Sequence, residues 1–146
     1  MREKVKSNIL KKKVLFKCEL PKYDENIISL TLFGSYNTEF WDEKRSDIDI
    51  LVLVKHTDFN IEYKLEEFYF PMLSSYFENE KIHFTFIGLR DFDSVFGDIY
   101  IDYEDKVIFD ISEHFNYLMY ISKYNRVNEN LINLVKSDWE SKYGNL

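Results

Sequence analysis

One run of eight residues limits the folds open to this chain more than any other feature. In Asp47–Val54 (DIDILVLV), charged and apolar residues alternate at first, and every later residue is apolar. Strands with this pattern have one end at a wet cleft while the rest is buried. Because successive side chains of a strand alternate between faces, the carboxylates of Asp47 and Asp49 are expected on the same face. The run therefore predicts a buried strand that carries two acids at a functional edge.

The other elements follow from apolar periodicity and from the few glycines and prolines. Apolar and β-branched content predicts further strands at 27–33 and 81–87, and a short edge strand at 107–109. Helical spacing predicts helices at 2–17 (ending before Pro21), 61–79 (kinked at Pro71), 91–103 and 112–140 (one helix or two). Strands and helices are thus interspersed, which predicts an α+β fold with a small mixed β-sheet flanked by helices and a C-terminal helical segment.

The length of the chain and its lack of linkers or repeats predict one domain. It has 146 residues, within the usual size of a single domain. We expect a single domain over 1–146, with a motif core at 27–110 and a C-terminal helical extension at 111–146.

Charge and composition exclude several classes of protein. The net charge of -7 argues against a chain whose main task is to grip nucleic acid, which needs a surplus of Lys and Arg. The apolar runs are far shorter than the ~20 residues that cross a bilayer. Cys18 is the single cysteine, and the basic N-terminal stretch lacks the apolar core of a signal peptide. These features predict a cytoplasmic protein with no membrane partner.

A glycine–serine pair ends the first predicted strand, shortly before the two aspartates. Gly34 allows a sharp turn and a close approach to a ligand. Ser35, if it begins a helix, offers a hydroxyl and backbone N–H groups to a phosphate. Asp47 and Asp49 repel each other unless a cation lies between them, and oxygen ligands favour Mg²⁺. A phosphate cradle that faces a paired-aspartate metal site suits the transfer of a nucleotidyl group.

This segment resembles the nucleotidyltransferase superfamily of the DNA polymerase β type, in particular its minimal single-domain members. The signature of an apolar residue, Gly-Ser, a gap and D-x-D stands here as Phe33-Gly34-Ser35 and Asp47-Ile48-Asp49. The resemblance implies a nucleotidyltransferase-like fold, a nucleoside triphosphate held at Gly34 and Ser35, and Mg²⁺ (or Mn²⁺) bound by the two aspartates.

The chain departs from this family at the residues after Gly-Ser. Many minimal members continue with a small residue and Arg-Gly, whereas this chain has Tyr36-Asn37-Thr38-Glu39. Lys44 and Arg45 lie nearby in the sequence. Either they replace the missing basic residue at the triphosphate, or they are solvated loop charges.

A second departure concerns the third carboxylate that the family presents from a later strand. The polar face of 81–87 offers His83 at that position, with no Asp or Glu. Three roles stay open for His83: a ligand for Mn²⁺ or Zn²⁺, a general base toward an attacking hydroxyl, or a residue that fills the cleft. Asp91 and Asp93 follow in sequence and are expected to cap the next helix.

What the resemblance implies is a metal-dependent enzyme that moves a nucleoside monophosphate, AMP from ATP above all, to an acceptor hydroxyl. Minimal members often serve as antitoxins paired with helical HEPN-type toxins, so the acceptor is expected on a helical partner protein. The apolar positions at 115–135 belong to a core helix, to an interface with a partner, or to self-association through the C-terminal helices. Two alternatives are a catalytically impaired binding module that lacks the third carboxylate, and a small-molecule transferase of the antibiotic-modifying kind that acts as a dimer.

Overall fold

The computed structural model describes residues 13–91 and 95–143, with side chains described as far as residue 126 and at Leu134. The predicted helix at 2–17 lies largely outside these residues, and Leu15–Lys17 form a short 3-10 turn. The remaining elements are β1 (Ile27–Phe33), β2 (Ile48–Val54), α1 (Phe59–Phe77), β3 (Ile82–Gly88), α2 (Val95–Asp102), β4 (Lys106–Ile108) and α3 (Ile111–Tyr143). Every strand predicted from the sequence is present, with its ends shifted by at most one residue.

The four strands form one mixed sheet in the order β3-β2-β1-β4. Strand β2 runs antiparallel to β1 and parallel to β3, and β4 pairs with the outer side of β1. Helices cover both faces of the sheet, so the predicted α+β class with a small mixed sheet is confirmed. The short strand at the edge is β4, as its few apolar residues predict.

Strand β2 is buried on both faces because it lies in the middle of the sheet. Every residue of β2 is buried except Asp49. One face packs under α1, and its side chains include Leu30, Ile50, Val52, Leu65, Tyr69 and Leu73. The other face packs under α2 and α3, and its side chains include Ile28, Leu51, Leu53, Tyr100, Tyr117 and Ile121. Asp49 therefore stands at the single polar position of an otherwise apolar strand.

The helices differ in detail from the sequence-based expectations. Helix α1 begins after Asp58, whose Oδ1 accepts from the N–H of Ile61 at 2.8 Å, and it continues through Pro71. Helix α2 is described over Val95–Asp102, within the predicted range, and Asp93 lies outside the described residues. The C-terminal segment is one helix of 33 residues. Within the part of the chain that the structure describes, no helix is long and apolar enough to cross a membrane.

Candidate active site

The candidate site lies where β1 ends and β2 begins. Phe33 pairs with Asp49 in the antiparallel register, so the turn that follows Phe33 reaches the Asp49 side chain. Gly34 opens this turn with a φ of 81°, in the left-handed region that favours glycine. A Cβ at Gly34 would overlap Asp49 Oδ2 and lie 3.2 Å from Asp49 Cγ. Glycine is thus required here by both backbone conformation and space.

The parallel pairing of β2 and β3 places His83 directly beside Asp49. His83 Nδ1 lies 3.5 Å from Asp49 Oδ1, which is longer than the ~2.9 Å of an ordinary N–H···O hydrogen bond. The His83 side chain is 61% exposed, and the Asp49 side chain is 27% exposed. An imidazole this exposed does not pack a cleft, so the filling role is the one of the three that the structure disfavours.

Burial makes Asp49 an unusual carboxylate. Desolvation raises the pKa of Asp49, and the charge of Asp47 raises it further, while the charge of His83 and its hydrogen bond act in the lowering direction. The ionised form of Asp49 is therefore only partly compensated by its protein neighbours. A cation that binds beside a carboxylate in this state stabilises its ionised form.

Asp47 occupies a more open position than Asp49. It is exposed and lies just before β2 begins, and its charge acts on the Asp49 carboxyl. The expected pair of acids at this end of β2 is therefore present.

The segment after Gly34 does not form the helix that was considered for Ser35. Residues 34–37 form a turn, and the chain stays irregular as far as β2. The Ser35 carbonyl accepts from the backbone N–H of Thr38 at 3.0 Å and from Thr38 Oγ1 at 2.6 Å. The Tyr36 ring is buried and makes edge contacts with Trp41 and Phe77, which ties the loop to the core. Ser35 therefore does not begin a helix, because the bonds from Thr38 to its carbonyl and the buried tyrosine hold this segment as a turn.

Comparison with known families decides the relationship. The family model of the nucleotidyltransferase domain matches residues 10–118, which is most of the chain. The chain belongs to the nucleotidyltransferase domain family. No curated protein and no solved structure matches it. The match includes all four strands and ends within α3.

A divalent metal fits the carboxylates of this nucleotidyltransferase domain in a limited way. Among the side chains that the structure describes, no group of three or more from His, Cys, Asp or Glu is placed to hold a metal ion. Mg²⁺ is commonly held by one or two carboxylates, with water and substrate phosphates completing its shell. Asp47 and Asp49 are two carboxylates at the start of β2, and the charge of the partly buried Asp49 carboxylate is only partly compensated by its protein neighbours.

Lys44 and Arg45, for which the sequence left open a role at the triphosphate or as solvated loop charges, lie in an exposed turn before β2. Lys44 and Arg45 are exposed, and their backbone N–H groups donate to Asp42 Oδ1 and to the Asp42 carbonyl. Lys81 Nζ donates to the Lys44 carbonyl, which links this turn to the start of β3. Sequence reasoning missed Lys81, although it lies two residues before His83 and shares its side of the strand by alternation.

A small cavity of about 350 Å³ opens on the β4 side of Gly34. Asn37 and Tyr103 are among its lining residues, and so is Asp105. Both Asp105 carboxylate oxygens already accept hydrogen bonds, from the N–H groups of Leu15 and Phe16 at 2.7 and 2.8 Å. Asn37 Oδ1 is buried and has no hydrogen-bond partner in the described part of the chain.

Proposed function

We propose that this nucleotidyltransferase domain moves a nucleoside monophosphate from a nucleoside triphosphate to an acceptor hydroxyl, with a divalent metal at Asp47 and Asp49. The supporting observation is the contact of three elements at one point. The Gly34 turn presses against the Asp49 carboxylate, and His83 lies beside that carboxylate in the next strand. All three elements lie within residues 10–118, the range that the nucleotidyltransferase family model matches.

The proposed reaction is a displacement at the α-phosphorus. The acceptor oxygen forms a bond to that phosphorus, the bond to the bridging oxygen breaks, and pyrophosphate leaves with the electron pair. The proton of the acceptor hydroxyl must go to a base. Mg²⁺ or Mn²⁺, when bound, would neutralise charge on the triphosphate and the developing oxygen anions.

His83 is proposed as that base. Its Nδ1 faces Asp49 at 3.5 Å, so a proton on Nδ1 would point toward the carboxylate and leave Nε2 to accept a proton. The exposure of the ring gives an acceptor hydroxyl access to Nε2. This arrangement uses the histidine in place of the third carboxylate and keeps Asp49 in contact with it.

The triphosphate is proposed to lie between the Gly34 turn and the basic residues across from it. Gly34 and Ser35 would approach the phosphates with their backbone, while Lys44, Arg45 and Lys81 would neutralise the outer phosphates. Since residues 34–37 form a turn, the phosphates would meet turn N–H groups here and no helix N-terminus. ATP as the donor is proposed from the resemblance to minimal members.

Pyrophosphate release tests this proposal without knowledge of the natural acceptor. The protein is incubated with each nucleoside triphosphate and Mg²⁺ or Mn²⁺, with water or glycerol as the surrogate acceptor. Release is expected from the wild type and is expected to be lost in Asp47→Ala/Asp49→Ala. The control Glu66→Ala/Glu67→Ala removes two exposed acids from α1 and is expected to retain the rate. Equal release by both double variants would contradict the proposal.

The surface of α3 supports a partner protein as the source of the hydroxyl. Ile111, Phe115 and Met119 are 57%, 56% and 63% exposed, and they recur at every fourth residue along one side of the helix. An apolar stripe of this kind is typical of a helix that packs against another chain. We propose a helical partner of the HEPN type, as in toxin–antitoxin pairs, with self-association through the same stripe as the alternative. The whole chain is proposed to act as one cytoplasmic domain.

A catalytically impaired binding module is the second candidate, and one observation favours it. His83 stands where the family presents its third carboxylate, so the metal would have two protein acids. The variant His83→Asp separates the two accounts. If the wild type releases no pyrophosphate and His83→Asp releases pyrophosphate with Mg²⁺, the wild-type chain is a module that has lost catalysis. Lower release in His83→Asp than in the wild type would support the histidine as the base.

A further inference from the structure

A second cavity lies at the opposite end of the sheet from Asp49. It has a volume of about 990 Å³, and its lining includes Lys55, His56, Arg90, Asp91, Tyr120 and Lys123. Lys55 follows the last residue of β2 and is six positions beyond Asp49. At about 3.3 Å per residue, the two sites are separated by roughly 20 Å along the strand.

The charged residues that line this cavity are mostly basic, although the chain is acidic overall. Lys55, Arg90 and Lys123 contribute positive charge, whereas the whole chain carries a net charge of -7. Of the described residues around the cavity, one is acidic, Asp91, and its Oδ2 accepts from the Gly88 N–H at 2.7 Å. Basic groups that converge on a concave surface attract anions from solution.

Of these three basic side chains, Arg90 and Lys123 are exposed to solvent, whereas Lys55 has a partner within the fold. Lys55 Nζ lies 3.3 Å from Asp110 Oδ2, so part of its charge is compensated within the fold. Arg90 and Lys123 are both exposed, and they come from different elements on two sides of the cavity. An anion bound between them would join the turn after β3 to helix α3.

The volume of the cavity and its aromatic side chains indicate which class of anion would fit it. Tyr120 and Tyr124 lie one helical turn apart on α3, and both line the cavity. The volume of about 990 Å³ is that of a site for a whole small molecule and exceeds what a single phosphate occupies. Aromatic faces stack on rings of nucleobase type, and Arg and Lys pair with phosphate.

We propose that this cavity binds a small aromatic phosphate of the nucleotide class, at a site separate from the Gly34–Asp49 site. The phosphates lie between Arg90 and Lys123, and the ring lies against the tyrosines of α3. Binding here needs no divalent metal, because the protein itself supplies the positive charge. The inference goes beyond the transfer reaction, which uses the other end of the sheet.

Equilibrium binding of ADP and of inorganic pyrophosphate in EDTA tests the inference. The titrations use Asp47→Ala/Asp49→Ala as the background, so their result stands whether or not the protein catalyses transfer. ADP is expected to bind saturably, and pyrophosphate is expected to bind about tenfold more weakly because it has no ring to stack. Adding Arg90→Gln/Lys123→Gln is expected to weaken ADP binding at least about tenfold.

A matched variant controls for the loss of general positive charge. Lys17→Gln/Lys64→Gln removes two exposed lysines that lie away from the cavity, and ADP binding is expected to change less than about twofold. If the Arg90/Lys123 variant does not fold, Lys123→Gln alone is used, with an expected loss of about fivefold. Absence of saturable ADP binding would overturn the site. Equal ADP binding by the Arg90/Lys123 variant and the Lys17/Lys64 variant would overturn it too. Pyrophosphate that binds as tightly as ADP would overturn the nucleotide class.

Discussion

At the scale of single residues, Gly34 combines a left-handed backbone conformation with a position against the Asp49 carboxylate. Its φ of 81° and its contact with the Asp49 carboxylate both exclude a side chain. Gly34→Ala is expected to lower the free energy of unfolding by about 1–3 kcal/mol, since the left-handed region alone costs ~1–2 kcal/mol. It should also displace Asp49 and reduce metal-dependent nucleotide binding.

Chemical denaturation and ATP titration with Mg²⁺ measure both effects of Gly34→Ala. Gly88→Ala is the matched control, because a Cβ there would lie 3.6 Å or more from its neighbours. That variant is expected to unfold like the wild type and to keep Mg²⁺-dependent ATP binding. Equal stability and equal binding for the two alanine variants would contradict the role assigned to Gly34.

The ionised side chain of Asp49 is expected to reduce the stability of the folded protein. Burial raises its pKa in the folded state, so between the ordinary value of 3.8 and that raised pKa the folded protein binds more protons at this group than the unfolded chain does, and stability falls as the pH rises through this interval. The ionised carboxylate therefore lowers stability near neutral pH. In EDTA, Asp49→Asn is expected to raise the free energy of unfolding by about 0.5–1 kcal/mol and to abolish metal-dependent ATP binding.

Urea unfolding at pH 7.5 in EDTA checks the stability gain. Asp47→Asn is the comparison, because Asp47 is exposed and its neutralisation is expected to change stability little. A loss of stability in Asp49→Asn would mean that the contact with His83 outweighs the burial of the charge.

At the scale of elements, β4 carries a partly buried lysine that holds α2 against the sheet. Lys106 Nζ donates to the carbonyl of Tyr100 at 2.6 Å and to the carbonyl of Tyr103, and it lies 4.1 Å from the centre of the Tyr100 ring. Tyr100 also shares a hydrogen bond with Ser29 at 2.9 Å and one with His114 Nδ1 at 2.5 Å. A polar network thus links β1, α2, β4 and α3 beneath the second layer of helices.

Burial lowers the pKa of Lys106 to about 8, against the raising effects of Asp105 and Glu104. Between this value and the ordinary value of 10.5, the unfolded chain binds more protons than the folded protein at this group. The contribution of Lys106 to stability therefore rises as the pH increases through that interval. From pH 7 to 10, the stability of the wild type relative to Lys106→Met is expected to increase by about 1–2 kcal/mol, allowing for the partial exposure of the group.

Urea unfolding at pH 7, 8, 9 and 10 measures this difference, with Lys64→Met as an exposed control that is expected to show no such trend. A difference between wild type and Lys106→Met that is constant over this range would contradict the lowered pKa.

The strands were predictable from the sequence, whereas the loop after Gly34 was not. Alternation and β-branched content depend on neighbours in sequence, and so they placed β1, β2 and β3 and put His83 on the polar face of β3. The family resemblance implied that His83 stands near the aspartates, and the parallel register of β2 and β3 sets it beside Asp49. The turn at residues 34–37 depends on Tyr36, whose ring packs on Phe77 from a distant helix. That contact is invisible to local patterns. The basic cavity was missed for the same reason, since α3 must first pack on the sheet to bring Lys123 near Arg90.

At the scale of the whole molecule, the sheet separates two sites of opposite character. In the proposed function, the acidic end at Asp49 depends on a cation to accept a triphosphate, whereas the proposed anion site at Arg90 and Lys123 needs none. Metal dependence is therefore the property expected to distinguish them. Because two carboxylates are the proposed protein ligands of the metal at the first site, metal and nucleotide are expected to bind there together, each strengthening the other.

A thermal melt with ATP, in the presence of Mg²⁺ and in EDTA, tests metal-dependent nucleotide binding at Gly34 and Asp49 more directly than any other measurement. An additional stabilisation is expected with Mg²⁺. It is about 2.7 kcal/mol when the ligand is at 100 times its Kd, and it raises Tm by roughly 5–10 °C. That increment should vanish in Asp47→Ala/Asp49→Ala and persist in Glu66→Ala/Glu67→Ala. An ATP shift that is the same with and without Mg²⁺, or a Mg²⁺ increment that survives in the Asp47/Asp49 variant, would contradict a metal-dependent nucleotide site at Gly34 and Asp49.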